Sequence, residues 1–297
     1  MSLPGESAVF VLPWGLPLEC RPAEHLGGSV ARTGVFEIVT TEVCARLAAA
    51  GELAVDVGAN YGYMTSVLTT AVGPGGRVLA FEPNGVVHRW LVANVARWRA
   101  IGVTTVQAYE QAVSDAVGTA ILAIPLTTSA NDGLATLETD GRPSAADSRL
   151  VKVETVSLDS ALGPASVGVM KIDIEGHELA ALRGASRLLD THRIRDILFE
   201  DHQAWPNETT RLLEGAGYEL FDLSAGPLGV RLLTPGGSSA PPSWDAPMRL
   251  ATTDPDRAHS LMRGFAWRCL TPRFRYRGGW RSRLPRSWRS AGSSPRG

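Results

Sequence analysis

The feature of this 297-residue chain that most restricts its fold is an alternation of short apolar runs with amphipathic stretches, beginning at Leu53. The runs have the length of buried strands, and the stretches between them repeat apolar residues at helical spacing. Such alternation is typical of a parallel sheet that is covered by helices on both faces. We therefore predict an α/β fold with a doubly wound, mostly parallel sheet. Its strands are predicted at Leu53–Val57, Arg77–Phe81, Thr104–Val113, Val167–Ile172 and Ile197–Phe199.

The same patterns divide the chain into three parts. We predict an N-terminal cap that ends in a helix over residues 1–50, a main domain over residues 51–270, and a basic, disordered and solvated tail over residues 271–297. Two turn-rich segments, at about 126–150 and 224–247, interrupt the alternation and are predicted to be loop insertions. Because loops carry specificity on a fixed scaffold, we expect residues 1–36 and the two insertions to shape the pocket for the acceptor.

Composition argues against several classes of protein. The formal net charge is −1, which provides no overall attraction to nucleic acid or to acidic lipid. Apolar runs stay shorter than the roughly 18–20 residues that cross a bilayer, and the first residues lack the pattern of an export signal. Cys20, Cys44 and Cys269 are too far apart in sequence to indicate a disulfide framework or a cysteine zinc site. We expect a soluble, cytoplasmic protein, and the sequence leaves its oligomeric state open.

One strand-to-helix turn carries the clearest chemical signal. The segment Ala54-Val55-Asp56-Val57-Gly58-Ala59-Asn60-Tyr61-Gly62 runs from an apolar strand through an acid into a glycine-containing turn. Glycine lets the backbone turn sharply and lets a ligand approach closely. The turn lacks the middle glycine of the dinucleotide pattern G-x-G-x-x-G, and Asp56 would repel a pyrophosphate. An acid here suits a cation, which favours S-adenosylmethionine, with its amino group and sulfonium, over NAD.

A second acid, Glu82, follows the second predicted strand. An acid at this position of such a fold can accept hydrogen bonds from both ribose hydroxyls of a nucleoside. We therefore predict a cofactor site for S-adenosylmethionine that is formed by Asp56, Gly58, Asn60, Gly62 and Glu82.

These motifs resemble those of the FkbM-type methyltransferase family. The resemblance runs from roughly Gly34 to Tyr218 and rests on Val55–Gly62, Gly73-Pro74-Gly75-Gly76-Arg77-Val78, Ala80-Phe81-Glu82-Pro83-Asn84, Lys171-Ile172-Asp173-Ile174-Glu175-Gly176-His177-Glu178 and Leu182-Arg183-Gly184-Ala185. It implies a class I methyltransferase fold, which is Rossmann-like, and O-methylation, often of natural products or sugars. It further implies that Gln111 and Ala112 lie where adenine is held, and that the loop containing Asn131 lies near the acceptor.

Transfer of a methyl group to an alcohol requires in-line positioning and removal of the hydroxyl proton. Ligands of open α/β sheets bind at the carboxyl ends of the strands, where Asp173, Glu200 and His202 are predicted to lie. A histidine that is neutral near pH 7 is a competent base, so His202 is the first candidate and Asp173 the second. Asp173 is also predicted to contact the cofactor or orient the acceptor, and Glu200 to share a face with His202. Glu175 is predicted either to contact the acceptor or to cap the helix that follows it.

Asp173, Glu200 and His202 also carry ligand types that suit a hard or intermediate divalent cation. The sequence determines no geometry for such a site. We therefore predict that the protein holds no metal.

The sequence thus predicts an S-adenosylmethionine-dependent O-methyltransferase that acts on a small molecule, such as a natural product or a sugar moiety in secondary metabolism. An RNA methyltransferase is one alternative, because the tail contains Arg273, Arg275, Arg277, Arg281, Arg283, Arg286, Arg289 and Arg296 and lacks acids. A non-catalytic scaffold that binds the cofactor is another. An NAD-dependent oxidoreductase or sugar epimerase is disfavoured, because it would need three spaced glycines and a Tyr-x-x-x-Lys pair.

Overall fold

The computed structural model describes residues 6–103, 105–126, 135–137, 148–226, 229–236, 247–264 and 266–276. In chain order the strands are β1 Ala8–Val11, β2 Pro17–Cys20, β3 Leu53–Val57, β4 Arg77–Phe81, β5 Val106–Tyr109, β6 Ala112–Val113, β7 Gly118–Pro125, β8 Thr136–Leu137, β9 Ser148–Val156, β10 Val167–Ile172, β11 Ile194–Glu200, β12 Glu219–Gly226, β13 Gly229–Leu233 and β14 Met248–Thr252. The α-helices are α1 His25–Thr33, α2 Ile38–Leu47, α3 Tyr63–Val72, α4 Gly85–Ala100, α5 Leu158–Leu162, α6 Glu178–Arg183, α7 Ser186–Asp190, α8 Glu208–Gly215 and α9 Pro255–Met262.

The central sheet has eight strands in the order β13-β12-β14-β11-β10-β3-β4-β5. The five strands from β11 to β5 are parallel, whereas β14 pairs antiparallel with both β11 and β12. Every residue of β3 and β10 is buried, as expected for parallel strands with helices on both faces. The predicted α/β fold with a mostly parallel sheet is therefore confirmed.

Strand register brings the ends of the central strands together. Val57 of β3 pairs with Phe81 of β4 on one side and with Ile172 of β10 on the other, and Ile172 also pairs with Phe199 of β11. The residues that follow these four positions consequently leave the sheet at one common edge. Residues far apart in sequence can thus form one site there.

A smaller sheet, in the order β6-β9-β7-β8, follows the end of β5. It occupies part of the segment that the sequence predicts to be a loop insertion at about 126–150, because β8 and the start of β9 pair with β7. The insertion predicted at about 224–247 likewise contains the end of β12 and all of β13, which pair antiparallel with each other. The described parts of both segments therefore contain hydrogen-bonded strands.

The N-terminal segment packs onto the helices that flank the parallel sheet. The indole N–H of the fully buried Trp14 donates to the hydroxyl of Ser66 on α3 at 3.0 Å, and that of Trp98 on α4 donates to the carbonyl of Pro17 at 2.6 Å. Phe274 meets the Trp14 ring edge to face at 6.0 Å, and the Tyr276 N–H donates to the Trp14 carbonyl at 3.4 Å. The described start of the predicted tail, residues 271–276, thus contacts the N-terminal segment.

Candidate active site

A cavity opens where the parallel strands end, and it encloses about 920 Å³ of space up to its open mouth. Its lining includes residues that directly follow four strands: Gly58, Ala59, Asn60, Glu82, Pro83, Gln111, Ala112, Asp173, Ile174 and Glu175. The shared strand register explains why these residues meet.

The turn after β3 depends on glycine for a close approach between two backbones. Gly58 has φ of 78°, a left-handed conformation, and a Cβ atom there would lie 1.9 Å from the carbonyl oxygen of Asp173. The N–H groups of Gly58 and Ala59 both donate to the Phe81 carbonyl, at 3.0 and 2.9 Å. Gly58 therefore lets the turns after β3, β4 and β10 come together.

Gly62, the other glycine of this turn, faces helix α4. It precedes α3 with φ of 93°, and a Cβ atom there would lie 2.8 Å from Leu91 Cδ1. Its small size permits close packing of α3 on α4. Gly62 does not contribute to the cavity wall that the described residues form.

Glu82 is held in place by backbone donors on both sides. Its Oε2 accepts from the Asn60 N–H at 3.0 Å, and its Oε1 accepts from the Asn84 N–H at 2.9 Å. Each carboxylate oxygen has two lone pairs, so both can accept further hydrogen bonds from a ligand. Burial raises the pKa of Glu82 to about 7, although the two backbone hydrogen bonds oppose the shift.

Asp56 lies beneath the cavity rather than on its wall. Its side chain is fully buried, and its Oδ2 accepts from the Thr65 hydroxyl at 2.5 Å. Its Oδ1 lies 4.0 Å from Lys171 Nζ. Burial raises the pKa of Asp56, while Lys171 and Thr65 act in the opposite direction. The carboxylate that the sequence places against a cofactor cation thus contacts α3 and β10 in the structure.

Lys171, a residue to which the sequence analysis assigns no role, connects the turns around the cavity. Its Nζ lies 3.0 Å from Asp173 Oδ2 and donates to the Gly58 carbonyl at 3.2 Å. Burial disfavours its charge, but the carboxylates of Asp173 and Asp56 outweigh burial and hold the pKa of Lys171 above its ordinary value. The sequence does contain a feature that could have pointed to this role, because Lys171 lies inside the apolar run Val169–Ile172. A lysine that is buried in such a strand needs a charged partner.

The turn after β10 presents Glu175 to the cavity. Glu175 has φ of 55° and Gly176 has φ of 92°. The turn is braced by Glu178, whose Oε1 accepts from the N–H groups of Ile174 at 3.0 Å and Gly176 at 3.2 Å. Burial, Asp173 and Glu178 together raise the pKa of Glu175 to about 7.

Glu200 is the last residue of β11, and His202 lies two residues further along the chain. The Glu200 side chain is 8% exposed and that of His202 is 65% exposed, and His202 Nε2 lies 3.0 Å from Glu200 Oε1. Burial and the neighbouring Asp173 and Glu175 carboxylates raise the pKa of Glu200. Neither residue lines the cavity as the described part of the chain defines it.

The end of the cavity beyond β5 is largely apolar. Gln111 and Ala112 line it together with Leu122 of β7, Leu137 of β8 and Ala135, which directly precedes β8. This is the position that the family resemblance implies for adenine. Asn131, which the resemblance places near the acceptor, lies outside the described residues.

Comparison with known proteins identifies the family. The family model described as "Methyltransferase FkbM domain" matches residues 56–220, which is more than half of the chain and includes the strand ends that form the cavity. The chain belongs to the FkbM methyltransferase family. The predicted family membership is confirmed, and with it the assignment as an S-adenosylmethionine-dependent methyltransferase. No curated protein matches the sequence.

Several solved methyltransferases are similar to this FkbM methyltransferase at low identity. An S-adenosylmethionine-dependent O-methyltransferase from Thermotoga maritima is 14% identical, with 75% of this chain and 69% of that chain covered and a TM-score of 0.41. Precorrin-6y C5,15-methyltransferase from Geobacter metallireducens is 12% identical, with 72% and 86% covered and a TM-score of 0.40. Aeropyrum pernix fibrillarin, solved with natively bound S-adenosyl-L-methionine, is 13% identical, with 84% and 86% covered and a TM-score of 0.39.

The FkbM methyltransferase also draws part of its cavity wall from the N-terminal segment, where residues 1–36 are expected from the sequence to shape the acceptor pocket. Leu26, Phe36 and Glu37 line the cavity beside Tyr63 and Met64 of α3. The Tyr63 hydroxyl accepts from the Phe36 N–H at 2.9 Å, which ties the segment to α3. None of the described helices is long and apolar enough to cross a membrane.

Proposed function

We propose that this methyltransferase transfers the methyl group of S-adenosylmethionine to a hydroxyl oxygen of a small molecule. The observation that carries the proposal is that one cavity combines two kinds of wall. One wall contains Glu82 and an apolar slot, which suit a nucleoside, and the other contains the carboxyl groups of Asp173 and Glu175. The first wall suits the nucleoside of the donor, and the second suits the amino group of the donor, at Asp173, and a polar acceptor, at Glu175.

The residues around the first wall fit the cofactor. We assign the adenine to the slot at Gln111 and Ala112, which is apolar on the side of Leu122 and Leu137. Glu82 would accept hydrogen bonds from the ribose hydroxyls, because both of its oxygens retain accepting capacity. The turn of Gly58 and Asn60 would lie against the same nucleoside.

Asp173 is the carboxylate that we assign to the amino group of the cofactor. It lines the cavity, whereas Asp56 is fully buried beneath it. We infer that Asp56 acts through Lys171, by holding its ammonium between the Gly58 carbonyl and Asp173. Lys171 would then keep the turns after β3 and β10 at the spacing that the cofactor requires.

When bound, the cofactor supplies a methyl group on a positively charged sulfur, which departs as a neutral thioether. The acceptor oxygen forms the new bond to carbon and loses its proton. We propose His202 as the base that takes this proton, with Glu200 orienting its ring through the 3.0 Å contact. Glu175, on the cavity wall, is assigned to contact the acceptor. A cytoplasmic role in natural product or sugar modification remains a prediction.

Two measurements test this proposal. Calorimetric titration of the full chain with S-adenosylhomocysteine, with NAD as the control, is expected to give micromolar affinity for the first ligand and none for the second. S-adenosylmethionine with a labelled methyl group is then offered with a panel of hydroxylated small molecules and, separately, with total RNA. We expect label on a small-molecule hydroxyl. Label on RNA, on nitrogen or on carbon would contradict the assignment of the acceptor.

A further inference from the structure

Three carboxyl groups meet next to the cavity, where β10 and β11 end. They belong to Asp173, Glu175 and Glu200, and one oxygen from each lies within 4.8 Å of the others. Asp173 and Glu175 also line the cavity. Carboxylates at such distances repel one another, so the arrangement favours a positively charged partner.

The surroundings of Glu200 provide a second, independent observation. Its side chain is more than nine-tenths buried, with 8% exposed. Its Oε1 contacts His202, but its Oε2 is completely buried and has no hydrogen-bond partner among the described residues. A buried polar atom without a partner costs free energy, and the cost is larger when the group is charged. A ligand that approaches this oxygen would remove that cost.

Lys171 does not compensate the whole cluster. Its ammonium lies 3.0 Å from Asp173, but it also donates to the Gly58 carbonyl and lies 4.0 Å from Asp56. Its single charge is thus shared between Asp56 and Asp173. Glu175 and Glu200 therefore have less compensation for their negative charge than Asp173 has.

We propose that Asp173, Glu175 and Glu200 together bind one hard divalent cation of the class of Mg²⁺, Mn²⁺ or Ca²⁺. Such ions prefer carboxylate oxygens at about 2.0–2.6 Å, so two oxygens on one ion lie at most about 4–5 Å apart. The 4.8 Å limit of the cluster fits this spacing. A divalent ion neutralises two carboxylates, whereas an ammonium group of an acceptor would neutralise one. From the sequence alone no metal is predicted, and the three residues whose types suit a cation include His202 instead of Glu175.

The functional role of the cation rests on the proposed methyl transfer. A cation beside Glu175 would coordinate the acceptor hydroxyl and lower its pKa, and the released proton would pass to His202. Glu200 would serve both parts of the site, because its Oε1 contacts the histidine and its Oε2 has no partner within the part of the chain that the structure describes. The site would thus combine a cation that acidifies the hydroxyl with a base that accepts its proton.

The test measures binding of Mn²⁺ alone to the full chain after chelation and dialysis, by electron paramagnetic resonance of the free ion. We expect one Mn²⁺ per chain, displaced by Mg²⁺ or Ca²⁺, and at least tenfold weaker binding in Glu200→Gln. The matched control is Glu214→Gln, which makes the same change at an exposed position of α8 and is expected to bind as the wild type does.

Absence of Mn²⁺ binding to the wild type, with and without S-adenosylhomocysteine, would overturn the proposal, as would equal binding by Glu200→Gln. If Glu200→Gln loses its cooperative thermal transition, Glu175→Gln carries the same test at a partly exposed position. Titration with S-adenosylhomocysteine in the presence of chelator separates the two proposals. Retained cofactor binding without Mn²⁺ binding refutes the cation site alone, and the converse refutes the proposed function alone.

Discussion

The two ends of the cavity differ in how their carboxyl groups are satisfied. At the donor end, both oxygens of Glu82 accept backbone N–H groups from turns that directly follow β3 and β4. Next to the proposed acceptor end, Glu200 has a buried oxygen without a hydrogen-bond partner in the described part of the chain, and it lies close to Asp173 and Glu175. Backbone donors hold the Glu82 carboxylate in the absence of a ligand. The carboxyl groups at the proposed acceptor end repel one another when they are ionised, so we expect their organisation to depend on what binds there.

This difference predicts that changes to the backbone of the donor end are the most damaging. Gly58→Ala places a Cβ atom 1.9 Å from the Asp173 carbonyl and forces alanine to φ of 78°. We expect a loss of about 3 kcal/mol or more in the free energy of unfolding, from strain and overpacking together. Thermal and denaturant unfolding measure it.

Gly34→Ala is the matched control for Gly58→Ala. Gly34 has φ of 80°, in the left-handed region, but nothing lies within 4 Å of the added Cβ atom. We expect this variant to cost about 1 kcal/mol, which is the backbone preference alone. Equal costs for the two variants would show that the close approach of the turns after β3 and β10 is unimportant.

A change at the acceptor end should separate turnover from donor binding. His202→Ala removes the proposed base and the partner of Glu200 Oε1, and the exposed side chain makes little contribution to packing. We expect turnover to fall about 100-fold or more, with unchanged affinity for S-adenosylhomocysteine. The control is His192→Ala, at a histidine whose ring contacts the Ala216 carbonyl. An unchanged rate in His202→Ala would remove this residue as the base.

A change at Glu82 should instead weaken binding of the donor. Glu82→Gln keeps the size of the side chain but removes its charge and one acceptor, so we expect at least tenfold weaker binding of S-adenosylhomocysteine, or about 1.4 kcal/mol. In Glu214→Gln, at an exposed glutamate, the affinity should not change. Wild-type affinity in Glu82→Gln would contradict the assignment of the ribose site.

Affinity for S-adenosylhomocysteine should also depend on pH through Glu82. Its pKa of about 7 lies above the ordinary value, so the carboxylate in the free protein forms as the pH rises through 7. Ribose hydroxyls donate better to the ionised form, and we expect affinity to rise about tenfold between pH 6 and pH 8. The rise should be lost in Glu82→Gln. Calorimetry at several pH values would test the sign, and affinity that falls as the pH rises would contradict it.

The smallest effect is expected at Asp56. Asp56→Asn keeps an oxygen that can accept from Thr65 and removes the charge 4.0 Å from Lys171 Nζ. Because Asp56 lies beneath the wall, we expect about threefold weaker binding of S-adenosylhomocysteine, less than 1 kcal/mol. A loss as large as that in Glu82→Gln would instead support direct contact with the cofactor, as the sequence suggested. Comparison of the two variants under one set of conditions decides between these roles.

Local sequence was sufficient to predict the bounds of three strands whose ends form the site. Leu53–Val57, Arg77–Phe81 and Val167–Ile172 have the same bounds in the structure as in the prediction. Continuous apolar runs bounded by turn residues determine them, because a strand buried on both faces needs such a run. The region Thr104–Val113 differs, since β5 joins the central sheet and β6 joins the smaller one. Pairing partners separated widely in sequence decide that division.

The sequence by itself, through the order of its motifs along the chain, was sufficient to predict the family, the α/β class and the strand ends at which the site forms. Tertiary structure alone decided which carboxyl groups face the cavity. Asp56 and Glu82 both lie near strand ends, yet Asp56 faces α3 and Lys171 whereas Glu82 lines the wall. Only tertiary structure brings Glu200 to Asp173 and Glu175. The physical reason is that local periodicity determines elements, whereas burial, charge compensation and the positions of buried oxygens depend on neighbours supplied by distant parts of the chain.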